Sequence, residues 1–203
     1  MKKTLIKNTL VLSSIFSLSI ATSQATVTTL TGPISNPANG HLYYLLDTSN
    51  WTTSETQAQS LGGHLVTVND SAENAWVFST FSSFGGVTRD LWTGLNDAAN
   101  EGTFVWANNE PLIFANWEPG NPDNGFGFNE DYVHIYGGGT PPVLAGWVAG
   151  AWNDINNVSG YQALDGTTPI QRNIYGVVEV VPEPSTIALL AFGLGFVLTR
   201  RER

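Results

Sequence analysis

Short apolar runs in the first half of the chain predict alternating strands and helices. Residues 41–46 form one such run, and residues 64–68 alternate apolar and polar side chains as a half-buried strand does. Between them, Thr52 and Glu55 have the spacing of a capping box, in which both side chains satisfy free amides of the first helical turn. This spacing predicts a helix that runs to about Leu61 and stops at two glycines.

A second helix is predicted directly after this strand. Asp70 and Glu73 repeat the spacing of a helix start, and apolar side chains follow at positions suited to packing. From residue 91 onward, short apolar or aromatic runs are separated by Gly, Pro, Asn and Asp, which is typical of strands joined by long loops. With a last strand over residues 174–180, the pattern predicts an α+β domain with two N-terminal helices and a loop-rich β half.

The N-terminal segments are not predicted to belong to this domain. Three lysines among the first seven residues precede an apolar run over residues 10–20, and small residues near position 25 suit cleavage. Residues 1–25 are therefore predicted to be an export signal peptide. Residues 26–40 are rich in Thr, Gly, Pro and Asn and are predicted to be a loose lead-in to a domain over residues 41–180.

The C-terminal tail, residues 181–203, has an organisation of its own. Pro182-Glu183-Pro184 interrupts the last strand pattern, and twelve uncharged residues, 187–198, lead to a terminal arginine cluster. An apolar run of this length is short for a transmembrane helix, which needs about 20 apolar residues. The tail is therefore predicted to be a short hydrophobic segment outside the domain.

The charge of the middle region narrows the classes of partner. Residues 26–180 contain two basic side chains, Arg89 and Arg172, against fifteen acidic ones, the chain's seventeen less Glu183 and Glu202, which gives a net charge of −13. Nucleic-acid binding rests on Lys and Arg that neutralise phosphates, so nucleic acid is excluded as a partner. Cations are the natural partners of such a domain.

Neither cysteine nor histidine is predicted to form a functional site. The chain has no cysteine, so disulfides, thiolate metal sites and cysteine nucleophiles are excluded. Its three histidines, His41, His64 and His134, are well separated and lie in or beside strand-like runs. They are predicted to be ordinary sheet residues rather than zinc ligands.

The candidate chemistry lies in the loop-rich segment over residues 106–152 and just after it. A loop region of this length is usually functional or disordered, yet this one is rich in tryptophan, which disordered segments rarely contain. Five amide and carboxylate side chains with three formal negative charges offer hard oxygen ligands of the kind Ca²⁺ requires: Asn121, Asp123, Glu130, Asn153 and Asp154. The alternative is a solvated acidic surface.

Four motifs in this order resemble the C-type lectin domain, over about residues 41–180. They are Trp92-Thr93-Gly94-Leu95 as its central core motif, Pro119-Gly120-Asn121-Pro122-Asp123-Asn124 as its long-loop motif, and the strands Glu130-Asp131-Tyr132-Val133 and Trp152-Asn153-Asp154. The resemblance implies a C-type lectin-like fold with two N-terminal helices, antiparallel sheets and a long calcium-binding loop region. It also implies a binding module rather than an enzyme.

The resemblance implies a principal Ca²⁺ site at the five oxygen-bearing residues and a cis peptide before Pro122. The bound ion would coordinate two neighbouring sugar hydroxyls, and Asn121, Asp123, Glu130 and Asn153 would exchange hydrogen bonds with them. An auxiliary calcium site is implied at Asp97, Glu101, Asn124 and Asp131, together with Glu130. Because Asn124 replaces an aspartate common in the family, this second site is expected to be weak or empty.

Two features bear on which sugar is bound. The order of amide then acid in Asn121-Pro122-Asp123 is that of the galactose-type motif, although Asn is one methylene shorter than the usual Gln, so galactose-like ligands are slightly favoured over mannose-like ones. Phe126, Phe128 and Trp147 are candidates to stack on the apolar face of a sugar. Packing inside the loops is the alternative for all three.

The tail resembles the PEP-CTERM sorting signal of Gram-negative bacteria in Pro182, Glu183, Pro184, the apolar run and the arginine cluster. The resemblance implies transient membrane anchoring, removal by an exosortase, and delivery to the cell surface or an extracellular matrix. Positive charge at the end of the tail suits retention on the cytoplasmic side. A permanent short membrane anchor is the alternative.

Three functions are compatible with these features. The leading interpretation is a calcium-dependent module that binds carbohydrate or extracellular polysaccharide. The second keeps the fold but uses it for protein or structural matrix contacts, with calcium serving only stability. The third is a hydrolase with paired carboxylates such as Glu130 and Asp154, which is disfavoured because a catalytic acid needs an apolar cleft and these lie among other anions.

Overall fold

The computed structural model describes residues 27–125, 129–138, 147–165 and 168–182. The helices are α1 (Trp51–Ser60) and α2 (Ser71–Phe81), and both lie in the first half of the chain as predicted. The strands are β1 (Thr29–Ser35), β2 (Leu42–Thr48), β3 (His64–Leu65), β4 (Asp90–Asn96), β5 (Val105–Trp106), β6 (Tyr132–Ile135), β7 (Trp152–Ile155), β8 (Gly160–Asp165) and β9 (Thr168–Val180).

Helix α1 begins earlier than the capping-box spacing predicts. Asn50 is the N-cap residue, and its side-chain oxygen accepts the amide proton of Thr53 at 3.0 Å. Glu55 does not reach back to the helix start: its carboxylate accepts the amide proton of Leu65 at 2.9 Å. The capping box at Thr52 was therefore wrong, because Glu55 lies on the buried face and bonds the next strand instead.

The predicted end of α1 and the start of α2 are confirmed. Leu61 is the C-cap of α1, and Gly62 follows with φ 85°, a left-handed conformation that glycine adopts without strain. Asp70 caps α2 by accepting the amide proton of Glu73 at 2.8 Å. The second helix start could thus be read correctly from the spacing of two acidic residues.

Some strand boundaries differ from the predicted ones. The segment predicted to be a loose lead-in contains β1, which pairs antiparallel with β2. The strand predicted over residues 64–68 is reduced to β3, although the amide of Val66 still donates to the carbonyl of Val177 at 2.8 Å. The last strand begins six residues earlier than predicted, because the first part of β9 pairs with β8 in a hairpin.

The sheet follows the order β1, β2, β9, β4, β6, β7, with β3 and β8 also on β9 and β5 on β4. The pairs are antiparallel except for β4 with β9, where Leu91 lies beside Tyr175 in parallel register. The prediction of antiparallel sheets was therefore wrong for the pair β4 and β9. The pairing of β6 with β7, which sets Asp154 opposite Val133, carries the carboxylate region described below.

Each helix packs on a different face of the sheet. Successive strand residues point to opposite faces, so Leu91 belongs to the cluster that contains Val77 and Phe81 of α2, whereas Trp92 belongs to the cluster that contains Trp51 and Ala58 of α1. Leu91 and Trp92 are fully buried. The α+β prediction with two early helices is confirmed.

Several predicted features lie outside the described residues: the export signal over residues 1–25, the aromatic candidates Phe126 and Phe128, and the tail from Glu183 onward. Within the described ranges, neither helix has the length and apolarity needed to cross a membrane. A transmembrane helix is therefore not supported. The apolar run over residues 187–198 lies outside the described residues.

Candidate functional site

Three of the predicted cation ligands converge beside the ends of β6 and β7. Asp123 lies in the loop after Pro122, Glu130 precedes β6, and Asp154 is on β7. Each offers a carboxylate oxygen, and these oxygens lie within 4.8 Å of one another. We call these three residues the carboxylate cluster.

Backbone hydrogen bonds hold the loop against the carboxylate cluster. The Asp154 carboxylate accepts the amide protons of Asp123 and Asn124, both at 3.1 Å. The Glu130 carboxylate accepts the amide proton of Gly125 at 2.7 Å. The cluster thus organises the loop that supplies one of its own members.

The two predicted amide ligands lie next to each other at the same place. The side-chain nitrogen of Asn121 donates to the side-chain oxygen of Asn153 at 2.7 Å. Asn153 in turn donates to the backbone carbonyl of Asp154. The peptide bond before Pro122 is cis, as the resemblance implied. All five residues predicted for the principal site are therefore brought together.

The electrostatics of the cluster favour a bound cation. Burial raises the pKa of Glu130 to about 7, and repulsion from Asp154 and Asp123 adds to this against the opposing Gly125 amide. Burial also raises the pKa of Asp154. Carboxylates this close disfavour one another's charged forms unless an opposite charge lies between them.

No arginine supplies that charge in the described part of the chain. Arg172 pairs with Asp90 on β4, and Arg89 donates to the carbonyls of Phe84 and Val87. Three anionic oxygens with two adjacent amides, all hard donors, are instead the ligand chemistry of Ca²⁺. The residues present therefore fit a calcium ion.

An open cavity of about 580 Å³ adjoins the cluster. Asn121, Asp123, Glu130 and Asn153 line one part of it, and Trp147 lines another. Its volume is within the range of about 300–1,000 Å³ usual for small-ligand sites. The candidate ligands thus face a space that a small molecule can enter.

The histidines take no part in a metal cluster within the described residues. His41 and His64 lie 2.6 Å from the carboxylates of Glu179 and Glu55. His134 is fully buried in β6, which lowers its pKa to about 4 and keeps it neutral near pH 7.

The model of the Lectin C-type domain family matches residues 47–159, more than half of the chain. The match spans both helices, β4 to β7 and the carboxylate cluster. The chain belongs to the C-type lectin domain family. Domains of this family commonly bind calcium, and its members bind carbohydrate and are not enzymes, so the prediction of a non-enzymatic carbohydrate-binding module is confirmed and the hydrolase alternative is rejected.

Similar proteins support this membership. The chain is 32% identical over 132 residues to a perlucin-like protein of Mytilus galloprovincialis, across 62% of this chain and 78% of that protein. It is 30% identical over 121 residues to a C-type lectin mannose-binding isoform of Oxyuranus scutellatus, across 58% and 71%. The structure of the C-type lectin CEL-I from Cucumaria echinata has the same fold, with a TM-score of 0.55, 24% identity and coverage of 75% and 96%.

A second family model, the PEP-CTERM protein-sorting motif, matches residues 180–203. The tail is therefore of the predicted sorting class, which indicates an exported protein that an exosortase sorts. The match begins at the last residue of β9, so in this C-type lectin the sorting tail follows the sheet directly.

The predicted auxiliary calcium residues also lie close together in this C-type lectin domain. Asp97 is buried, and one of its carboxylate oxygens accepts from the Gly102 amide at 2.7 Å while the other has no hydrogen-bond partner. Burial raises its pKa, and Glu101 and Asp131 repel its charge. An unpartnered buried carboxylate oxygen fits a cation at this second position.

Asn124 connects the auxiliary residues to the principal site. Its amide nitrogen donates to Glu101 at 2.6 Å, and its carbonyl oxygen accepts the amide proton of Glu130 at 3.0 Å. Asp131 lies at the same place, since its carbonyl accepts the amide proton of Asp97 at 3.0 Å. Both polar atoms of the Asn124 side chain are thus engaged, in the position where an aspartate would add a charge.

Two buried side chains beside the site escaped sequence reasoning. Asn153 donates to His134 at 3.4 Å, so this neutral histidine lies behind a candidate ligand. Glu118 lines the cavity, and its carboxylate accepts the amide proton of Val148 at 2.8 Å, next to Trp147. Strand alternation marked His134 as a sheet residue but could not indicate its neighbour on β7, and Glu118 carried no signal beyond its place in an acidic loop.

Proposed function

We propose that this C-type lectin is a calcium-dependent carbohydrate-binding module of an exported bacterial surface or matrix protein. The observation that carries the proposal is the carboxylate cluster, whose oxygens lie within 4.8 Å of one another beside an open cavity. Neither arginine of the described residues lies against it, so a divalent cation is the partner that offsets its charge.

The residues of the site would have two roles, one toward the ion and one toward the sugar. Asp123, Glu130 and Asp154, with Asn121 and Asn153, would hold the ion. When bound, the ion supplies coordination positions for two neighbouring sugar hydroxyls. Asn121, Asp123, Glu130 and Asn153 line the cavity, so their amide and carboxylate groups are available to exchange hydrogen bonds with those hydroxyls.

Aromatic contact and motif chemistry suggest the class of sugar. Trp147 is half-buried and lines the same cavity, and we propose that it contacts the apolar face of the bound sugar. The amide-then-acid order of Asn121 and Asp123 favours galactose-like ligands over mannose-like ones.

A glycan array screened with calcium and again with EDTA tests the proposal most directly. We expect calcium-dependent binding, lost on chelation, and we expect Asn153→Ala with Asp154→Ala to abolish it while the fold, followed by circular dichroism, persists. Glu110→Gln, an exposed change away from the cluster, is the matched control and leaves binding unchanged. Retained binding in the double variant would refute the site.

A second candidate function is supported by exposed apolar side chains in the loops, one of which, Val148, bonds the cavity residue Glu118 through its amide. Ile113 is 72% exposed and Val148 is 55% exposed, which suits contacts with another protein in a surface or matrix assembly. In that case calcium serves only to order the loops. Calcium would then raise the melting temperature while no glycan on the array is bound.

Export to the surface or extracellular matrix of a Gram-negative bacterium is part of the proposal. It is supported by the match to the sorting motif over residues 180–203. We propose that the tail anchors the protein transiently and is then removed by the exosortase. Intact-mass measurement of the native protein decides between removal and a permanent anchor, because a retained tail leaves the three terminal arginines in the mass.

A further inference from the structure

One wall of the cavity comes from a hairpin that the family match does not include. The match ends at residue 159, and β8 then pairs with the first part of β9 from Gly160 opposite Asn173 to Asp165 opposite Thr168. Tyr161, Gln162 and Ala163 of β8 line the same cavity as Asn121 and Asn153. The candidate site thus continues into a surface beyond the residues that the family model matches.

The hairpin is anchored to the sheet by buried polar contacts. The Arg172 guanidinium on β9 donates to Asp90 at 2.9 Å and to the carbonyl of Gly137 at 3.1 Å. The Tyr161 hydroxyl donates to the same Asp90 carboxylate at 2.8 Å. Arg172 and Asp90 are both buried, so the wall is fixed relative to β4 before any ligand arrives.

The β8 wall and the aromatic rings beside it offer the chemistry of a neutral sugar subsite. Trp147 stacks on Tyr136, with ring centroids 4.5 Å apart and planes at 17°, and the Tyr161 ring lies 6.3 Å from Trp147. Gln162 is exposed, and its side-chain nitrogen donates one proton to Gln171 at 3.3 Å, which leaves its second N–H and its carbonyl oxygen for a ligand. Rings with a few polar groups are the usual lining of a specific small-ligand site.

The charges of the lining select against an anionic ligand at this end. The charged side chains that line the cavity are acidic, namely Glu118, Asp123 and Glu130, and among the described residues no basic side chain lines it. An anionic sugar would therefore meet repulsion outside the ion's immediate reach. A neutral sugar unit meets none.

We infer that the β8 wall forms a second subsite that binds the next neutral sugar unit of a chain whose neighbouring unit is held at the carboxylate cluster. The inference rests on the proposed function, since it requires the first unit to be bound there. It makes the ligand an oligosaccharide or polysaccharide segment rather than a single sugar.

Titration calorimetry with matched probes in calcium tests this subsite. The probes are methyl β-galactoside with β-1,4-galactobiose, and methyl α-mannoside with α-1,2-mannobiose. We expect the disaccharide of the preferred pair to bind about tenfold more tightly than its monosaccharide, as one added stack and one added hydrogen bond allow.

Variants assign that gain to the wall. Gln162→Ala should weaken the disaccharide about threefold to fivefold and change monosaccharide affinity less than about twofold, the size of one lost hydrogen bond. Trp147→Ala should weaken the monosaccharide and the disaccharide alike, because Trp147 is proposed to contact the first sugar. Thr168→Ala, exposed on the same hairpin outside the cavity lining, is the matched control and should change neither.

The outcomes separate the subsite from the proposed function. Calcium-dependent monosaccharide binding with no gain for the disaccharide overturns the subsite alone, as does a gain that survives Gln162→Ala in full. Absence of calcium-dependent binding to every probe overturns the proposed function and the subsite with it.

Discussion

The two halves of this domain bury charge in different ways. In the sheet half, made of α1, α2, β2, β4 and β9, buried acids have polar partners, as Asp90 has Arg172 and Glu55 has the ring of His64. In the loop half, residues 97–131 and 147–154, burial raises the pKa of Asp97, Glu130 and Asp154, and like charges around Asp97 and Glu130 add to the effect.

This difference indicates that the halves depend on different forces. The sheet half has its own apolar core, with Leu45, Leu91 and Val177 fully buried. Its buried acids have partners within the chain, since Asp90 pairs with Arg172 and Glu179, whose pKa is raised by burial, lies beside the ring of His41. The loop half contains anions that no basic side chain of the described residues neutralises, so we expect its order to depend on an ion from solution. The stability of the sheet half should therefore not change with calcium, whereas the order of the loop half should.

The largest expected effect is in the sheet half. Asp90→Asn leaves the buried Arg172 charge without its counter-ion and should lower the free energy of unfolding by about 3–5 kcal/mol. Urea denaturation measures this, with Glu110→Gln, an exposed change expected within about 0.5 kcal/mol, as the control. The loss should be equal with calcium and with EDTA, and a loss seen only in EDTA would contradict the separation of the halves.

Calcium withdrawal should affect the loop half next most strongly. At a hundredfold excess over its Kd, an ion that binds only the folded state adds about 2.7 kcal/mol to the free energy of unfolding. Chelation should therefore lower Tm by several degrees. Hydrogen exchange should quicken at the amides of Asp123, Asn124 and Gly125, which bond the cluster, and stay slow at Val177 of β9. Uniform quickening across both halves would argue for a single cooperative unit.

Asn124→Asp should add one more unpaired charge to the loop half. It replaces the amide that donates to Glu101, so the ion-free protein should lose about 1 kcal/mol of stability. Calcium at the auxiliary residues should bind about tenfold more tightly because one more charged ligand is present. Titration calorimetry gives the stoichiometry.

The matched control for this change is Asn157→Asp, which adds the same charge at an exposed position away from both groups of carboxylates. Its calcium affinity should equal that of the unchanged protein. If Asn124→Asp leaves the calcium affinity at the auxiliary residues unaltered, the residues around Asp97 do not act as a metal site.

The smallest expected effect is at the start of α1, again in the sheet half. Asn50→Ala removes the side chain that caps Thr53 and should cost about 1 kcal/mol of stability in calcium and in EDTA alike. Thr52→Ala, at the residue that the spacing wrongly marked as the cap, should cost less. Thermal denaturation of the two variants checks this order, and the reverse order would restore the capping-box interpretation.

The sheet half illustrates what local pattern predicts and where it fails. Asp70 and Glu73 gave the start of α2 because a cap acts within one turn of helix. Glu55 has the same spacing from Thr52, but Leu65 and His64 compete for its carboxylate from the next strand. A contact between elements overrode a local preference, and no spacing within the helix could indicate it.

The loop half illustrates the reverse. Its strands are short and weakly patterned, and no periodicity predicts where its side chains meet. The convergence of the five principal residues could still be predicted, because their order and spacing resemble those of a family. The β8 hairpin escaped this reasoning, since it follows the last family motif. Its anchor, Arg172 on Asp90, joins positions 82 residues apart and has no local signature.

Both arginines of the described chain are buried, Arg89 at 7% and Arg172 at 8% exposed, and these ranges contain no lysine. The exterior therefore presents carboxylates to the medium with hardly any permanent positive charge among them. Copies of this domain held side by side would repel one another in dilute medium and approach more closely as ionic strength rises. Ionic strength would then limit how closely such copies can approach one another.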